Sequence, residues 1–207
     1  MTDIVFVFEV HQPHRLKHNF FWDNMAFKHA KKEDFFSYYF DDKVNREVFD
    51  RACRKAYFPS NRILLDAIDK HKREKKQIKV SFSISGVFLE QCEMFNRDLL
   101  ESFRQLADTG CVEFLSHTYY HSLASLYPER DEFVEQVKMH QQLMRDLLGY
   151  TSMVFENTEL LYNNAVARTV ESLGYKGIFT EGVERILHGK SPNYLYSPKD
   201  CKRIKIL

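Results

Sequence analysis

Short apolar runs alternate with helix-period segments along most of this chain, and that rhythm limits the fold more than any other feature. Ile4–Val10, Ile78–Ile84, Cys111–Leu115, Ser152–Phe155 and Gly177–Thr180 read as strands, and Arg203–Leu207 begins a sixth. Between them, Asn61–Lys76, Val87–Asp108, Asp131–Leu148 and Asn163–Leu173 read as helices, the last three stopped near Gly110, Gly149 and Gly174. Ser60 or Asn61 is the expected N-cap of the first helix. Strands and helices in alternation build a parallel sheet with helices outside. A closed barrel and an open doubly wound sheet both satisfy the pattern. No G-x-G-x-x-G follows the first strand, so a dinucleotide-binding sheet loses its main support. Ile4–Val10 is nearly unbroken in apolar residues, as in a strand buried on both faces.

One stretch breaks the rhythm. Leu16–Tyr57 is too long for an ordinary connection and carries Phe35-Phe36-Ser37-Tyr38-Tyr39-Phe40, so it is expected to form a partly helical excursion over the sheet's rim. Charge and cysteine usage exclude several classes. The 207 residues carry a net charge of +1, which gives no electrostatic pull toward nucleic acid. No apolar run approaches the ~20 residues that span a bilayer. Cys53, Cys92, Cys111 and Cys201 are scattered without C-x-x-C spacing, which fits a reducing, cytoplasmic setting and gives no zinc framework.

Polar clusters stand at the C-terminal ends of three strands, where barrels of this kind place their sites. His11-Gln12-Pro13-His14-Arg15 follows the first, Ser116-His117 the third, and Asn157-Thr158-Glu159 the fourth. Glu159 is the leading catalytic residue: a carboxylate there can attack an anomeric carbon, with Asn157 and Thr158 expected to hold its rotamer. The competing reading makes it an acid at a helix N-terminus, favoured by the dipole. His117 and His121 form H-x-x-x-H, a spacing that serves a metal on a helix or sugar hydroxyls from a loop; no third ligand stands nearby, and Glu113 can face either way. His11, His14 and Arg15 can bind hydroxyls, a carboxylate or a phosphate, His11 and Gln12 are expected to contact substrate, Glu181 is the other well-placed carboxylate, and Trp22 offers a face for a sugar ring. Each of these also has an ordinary structural reading as a packed or solvated side chain.

Taken together, these strings resemble glycoside hydrolase family 57, in particular its α-amylase-like members. The resemblance rests on His11-Gln12-Pro13, on Gly110–His121, on Phe155-Glu156-Asn157-Thr158-Glu159-Leu160 and on Gly174–Gly182, and runs to near Pro198. It implies a (β/α)7-type barrel of parallel strands with outer helices and retaining cleavage or transfer of α-glucans or maltooligosaccharides. It implies Glu159 as nucleophile, substrate contacts from His11 and the His117 region, and no metal or other cofactor. The family's general acid is an aspartate beyond the fifth strand; Asp200 does not stand in the matching string. Residues 1–207 are therefore expected to be the N-terminal part of a catalytic barrel, weak or inactive alone. Two other readings stand beside this one: a non-catalytic carbohydrate-binding pseudoenzyme, and a metal-dependent polysaccharide deacetylase using His117 and His121. Against the latter, the first strand offers Phe8-Glu9-Val10-His11 rather than an aspartate pair.

Overall fold

The computed structural model describes residues 4–18, 31, 35–75 and 77–207. Six strands follow one another in space as in sequence: β1 (Val7–Val10), β2 (Val80–Ile84), β3 (Val112–Leu115), β4 (Val154–Glu156), β5 (Gly177–Phe179) and β6 (Lys205–Ile206). Pairing is parallel throughout, with Glu9 beside Ser83, Ser83 beside Leu115 and Phe155 beside Ile178. Ser116 joins the two halves of the sheet, donating its N–H to the Val154 carbonyl and accepting from the Glu156 N–H, both at 2.9 Å. A doubly wound sheet reverses its strand order partway across. Here the order never reverses, so the fold is α/β of the (β/α)7-barrel type, with part of the barrel built by this chain.

The helices are α1 (Phe35–Tyr39), α2 (Asp42–Ala52), α3 (Phe58–His71), α4 (Gly86–Phe95), α5 (Arg97–Asp108), α6 (Asp131–Leu148), α7 (Asn164–Ser172) and α8 (Glu184–Leu187). α6 matches its expected bounds because its end is written in the sequence. Gly149 takes φ 62° and closes the helix, with its N–H on the Arg145 carbonyl and the Tyr150 N–H on that of Met144. Asn163 caps α7 through Val166 N–H at 2.9 Å. Elsewhere the expectations need correction. The single helix Val87–Asp108 is two, because Asn96 leaves helical geometry (φ −158°) and its side chain caps Leu99 N–H. Neither Ser60 nor Asn61 begins a helix. A wide π turn, Cys53–Tyr57, carries helical backbone from α2 straight into α3, and Asn61 lies buried within it, bonded to Ser102 Oγ at 2.8 Å.

Strand side chains alternate between two environments. Phe82 and Phe114 point toward the helices, where they meet Phe103 of α5 and Phe88 of α4 in one aromatic core. Phe133, Phe155, Val170, Tyr175 and Ile178 form a second core under β4 and β5. The opposite face is polar, with Glu9 and Ser83 level with each other. The run Ile4–Val10 is not buried on both faces as expected: Ile4, Val5 and Phe6, which precede β1, are 75%, 58% and 57% exposed, and Phe8 within β1 is 40% exposed. Among the described residues the one strand partner of β1 is β2, which leaves its outer edge uncovered. Phe103 is fully buried among Phe82, Phe88 and Phe114. Phe103→Ala is expected to lower stability by about 3–5 kcal/mol, read as a shift in urea midpoint at unchanged slope.

Candidate active site

Three strand ends deliver polar groups to one rim. His11, just past β1, bonds through Nδ1 to Ser85 Oγ at 2.7 Å. Ser85 itself caps α4, accepting from Phe88 N–H, so the imidazole is held at the start of a helix. The loop after β3 is not helical, so His117 and His121 do not share a helix face. They converge anyway: His121 takes a left-handed backbone (φ 52°), and its N–H bonds the Thr118 carbonyl at 3.1 Å. That turn stacks His121 between two other imidazoles, with ring centroids 4.3 Å from His11 and 4.9 Å from His117.

Glu159 follows β4 in a single 3₁₀ turn, Thr158–Leu160, with φ 54°. Leu160 has the same φ, and two successive left-handed non-glycine residues cost of order 1–3 kcal/mol each. The turn is held from below. Thr158 Oγ1 bonds Thr118 Oγ1 at 2.9 Å, Asn157 Nδ2 donates to Ser125 Oγ and the Leu161 carbonyl, and Thr180 Oγ1 donates to the Leu160 carbonyl at 2.6 Å. Asn157 and Thr158 thus brace the backbone and do not hold the Glu159 carboxylate, correcting the sequence expectation. Nor is Glu159 a helix-terminal acid, since α7 starts five residues later. Its carboxylate stands in the open at the rim, Oε1 3.7 Å from His121 Nε2, while His121 Nδ1 lies 3.4 Å from Glu9 Oε1.

The other expected residues fall in different places. Gln12 is spent on structure: Nε2 donates to Tyr57 Oη at 2.9 Å, Oε1 accepts from Arg15, and its carbonyl accepts from Gln91. His14 packs edge-on to Phe36 at 4.9 Å, away from the three stacked imidazoles. Glu181 lines a cavity of about 580 Å³ with Glu159, Tyr162, Thr180, His188 and Tyr196. Glu113 lines a smaller hollow of about 350 Å³ at the strands' opposite ends, with Lys79 and Gly110. Trp22 lies outside the described residues.

Two acids escaped the sequence reading. Glu9 joins His117 and His121 in a cluster whose ligand atoms all lie within 4.8 Å of one another. Glu156 is 4% exposed with Oε2 unpartnered; burial, joined by the charge of Glu9, pushes its carboxyl up to about 7 against the opposing Ser83 hydroxyl. The signal for both was the strand alternation, which sets Glu9, Ser83 and Glu156 against Phe8, Phe82 and Phe155.

Burial keeps two of the rim's imidazoles, His117 and His11, neutral. It pushes His117 down to about 3, against the Thr118 carbonyl, and His11 down to about 4, helped by the charges of His121 and Arg15. His117 Nδ1 lies 3.0 Å from the Thr118 carbonyl, so that nitrogen carries the proton and the Nε2 lone pair is free. The rim therefore holds the neutral imidazoles of His11 and His117 with His121 between them, the exposed carboxylates of Glu9 and Glu159, and the buried carboxyl of Glu156.

A parallel β/α barrel with carboxylates and neutral imidazoles gathered at the strands' C-terminal ends defines a rim-site barrel protein. The family profile described as glycosyl hydrolase family 57 matches residues 5–207, and the chain belongs to that family. It is 43% identical over 207 residues to a Methanocaldococcus jannaschii protein named as a candidate α-amylase, a match covering 97% of this chain and 40% of that protein. The fold superposes on the 4-α-glucanotransferase of Thermococcus litoralis with TM-score 0.70 at 20% identity, over 98% of this chain and 26% of that one. The branching enzyme of Pyrococcus horikoshii gives 0.62 at 16%, over 98% of this chain and 46% of that one. The chain thus spans less than half the length of each.

Proposed function

We propose that the chain supplies the nucleophile half of a retaining α-glucan hydrolase or glucanotransferase, as the N-terminal part of a catalytic barrel with a rim excursion near residues 16–57. The observation that carries this reading is Glu159: an exposed carboxylate on a strained turn at a strand's C-terminal end, beside the His11–His117–His121 stack. In the forward step a Glu159 oxygen attacks the anomeric carbon, the glycosidic bond breaks, and a glycosyl ester forms. Neutral imidazoles suit the task of binding uncharged hydroxyls, since each has one donor and one acceptor nitrogen. Family membership supports an α-glucan or maltooligosaccharide substrate. Retention requires a second carboxyl about 5–5.5 Å from the nucleophile to protonate the leaving oxygen. We assign that role to no described residue, so turnover by these 207 residues alone is expected to be weak. A cytoplasmic setting fits the four unpaired cysteines, three of them buried. Among the described residues no helix is long and apolar enough to cross a membrane.

A fluorinated α-glucosyl fluoride tests the nucleophile directly, because fluoride leaves without acid assistance. Intact-mass measurement is expected to show one added glycosyl unit, located by fragmentation on Glu159. Glucan binding by folded protein that never labels would instead make the chain a non-catalytic carbohydrate-binding module.

A further inference from the structure

We propose that Glu9, His117 and His121 form a zinc site at the barrel rim, open on one side, whose filling ties up Glu159 as a hydrogen-bond acceptor. The three residues come from two different strand ends, and one ligand atom from each lies within 4.8 Å of the others. Two imidazoles and one carboxylate are a familiar open zinc donor set, with a fourth position left for water or substrate. Donors around a tetrahedral zinc at bond lengths of ~2.1 Å stand roughly 3.4 Å apart. Glu9 Oε1 and His121 Nδ1 are already 3.4 Å apart.

Three independent features point the same way. His121 Nδ1 is buried without a hydrogen-bond partner, although Glu9 is beside it. A shared cation satisfies both atoms at the separation observed. His117 gives its Nδ1 proton to the Thr118 carbonyl, the outer-sphere bond that fixes the tautomer of a metal-bound histidine and leaves Nε2 free to ligate. His121, ligating through Nδ1, keeps its proton on Nε2, which faces Glu159 Oε1 at 3.7 Å. A metal–histidine–carboxylate relay results, with Glu159 as the outer carboxylate. The cysteines are not part of it: Cys53, Cys92 and Cys111 are buried, and burial raises the Cys53 thiol to about 11.

A carboxylate accepting a hydrogen bond from a metal-bound imidazole is a poorer nucleophile. Zinc and glycosyl transfer to Glu159 are therefore mutually opposed. This coupling rests on the nucleophile proposed above; the metal site does not.

The test uses the 207-residue protein, stripped with chelator and titrated with ZnCl2 alone, read by calorimetry and by metal content after dialysis. One zinc per chain is expected, with a rise in thermal midpoint on binding. Glu9→Gln is expected to weaken binding at least tenfold, and His121→Ala to abolish it, while Cys201→Ser binds as wild type. Glu9 is exposed at the rim, so Glu9→Gln reports on the site without opening the core. Co2+ in place of zinc is expected to give visible d–d bands without a thiolate charge-transfer band. No uptake at micromolar zinc, or uptake indifferent to both Glu9→Gln and His121→Ala, overturns the site. Unchanged glycosyl labelling of the zinc-loaded protein overturns the coupling alone.

Discussion

In chelator-containing buffer, the protein is expected to lose stability steeply below pH 6.5 and to unfold cooperatively before pH 4. The cause is His140, a fully buried residue of α6 that joins the ends of β2 and β3. Its Nε2 donates to the Ile84 carbonyl at 2.6 Å. Its Nδ1 accepts from the His117 N–H and from Ser116 Oγ, both at 3.4 Å. The Ser116 hydroxyl is free to donate there because it accepts from Tyr175 Oη at 2.5 Å. Every member of this chain has one place for one proton. A second proton on His140 sets an N–H against two donors in a fully buried site. Burial accordingly pushes His140 down to about 4, the Ile84 carbonyl opposing, and His117 down to about 3. The unfolded chain takes up these protons near pH 6.5. Stability is thus fully present above pH 6.5 and drains as pH falls toward the folded values. Each pKa unit is worth about 1.4 kcal/mol, so two such groups withdraw several kcal/mol, comparable with the 5–15 kcal/mol that holds a domain together. Denaturation midpoints at pH 7, 6, 5 and 4 measure this slope. His140→Gln is expected to flatten it while costing about 1–3 kcal/mol at pH 7, since the Ile84 carbonyl and the His117 N–H cannot both be matched. A flat profile from pH 7 to pH 5 would show that these imidazoles take up protons in the folded protein as they do in water.

How the site arises explains what the sequence could reveal. His11, His117 and Glu159 were legible because each follows a strand-like run, and strand ends of this fold face one rim. The end of α6 was legible because Gly149 supplies the positive φ its cap needs. Glu9 and Glu156 were hidden by composition. Among mostly apolar neighbours they read as strays, yet with a period of two they lie on the barrel's inner face, opposite the Phe side chains. The spacing of His117 and His121 allowed convergence on a helix or from a loop, and the fold uses the loop: a left-handed residue in a turn does what helical spacing would have done. The sequence turns the Gln12 amide toward substrate and the Asn157 amide toward the Glu159 carboxylate. In the fold they tie loops together, the Gln12 amide donating to Tyr57 Oη and the Asn157 amide to Ser125 Oγ and the Leu161 carbonyl. Long-range partners of that kind have no local signature. The break at Asn96 was missed for the opposite reason, since apolar periodicity runs through it on both sides while its capping bond is purely local.

Glu156 and Glu159 lie three residues apart at one strand end, and exchanging each for glutamine is expected to separate their roles. Glu159→Gln removes the group proposed to attack the anomeric carbon, so labelling by the fluorinated glucosyl fluoride is expected to vanish. Glu156→Gln is expected to keep the label, because its carboxyl is buried under the rim and fluoride departs without a proton donor. The two variants differ in stability as well. Burial first, and the charge of Glu9 second, raise Glu156 from 4.5 to about 7. A raised carboxyl binds its proton more tightly in the folded state than in the unfolded one. Its contribution is therefore fully present below pH 4.5 and lost as pH rises through about 7. Between pH 4.5 and 6.5 this runs against the histidines; His117 and His140, two groups with shifts at least as large, prevail there, and Glu156 governs the neutral-to-alkaline limb. Glutamine keeps the shape and carries no charge. Glu156→Gln is thus expected to stabilise the protein at pH 8 by up to about 3 kcal/mol and to leave it nearly unchanged at pH 5. Glu159→Gln, at an open position, is expected to move stability by less than about 0.5 kcal/mol at either pH. Denaturant midpoints at the two pH values and intact mass after labelling read all four expectations. Label lost in Glu156→Gln and retained in Glu159→Gln would move the nucleophile three residues upstream, to the carboxyl that faces Glu9 across the barrel's inner wall.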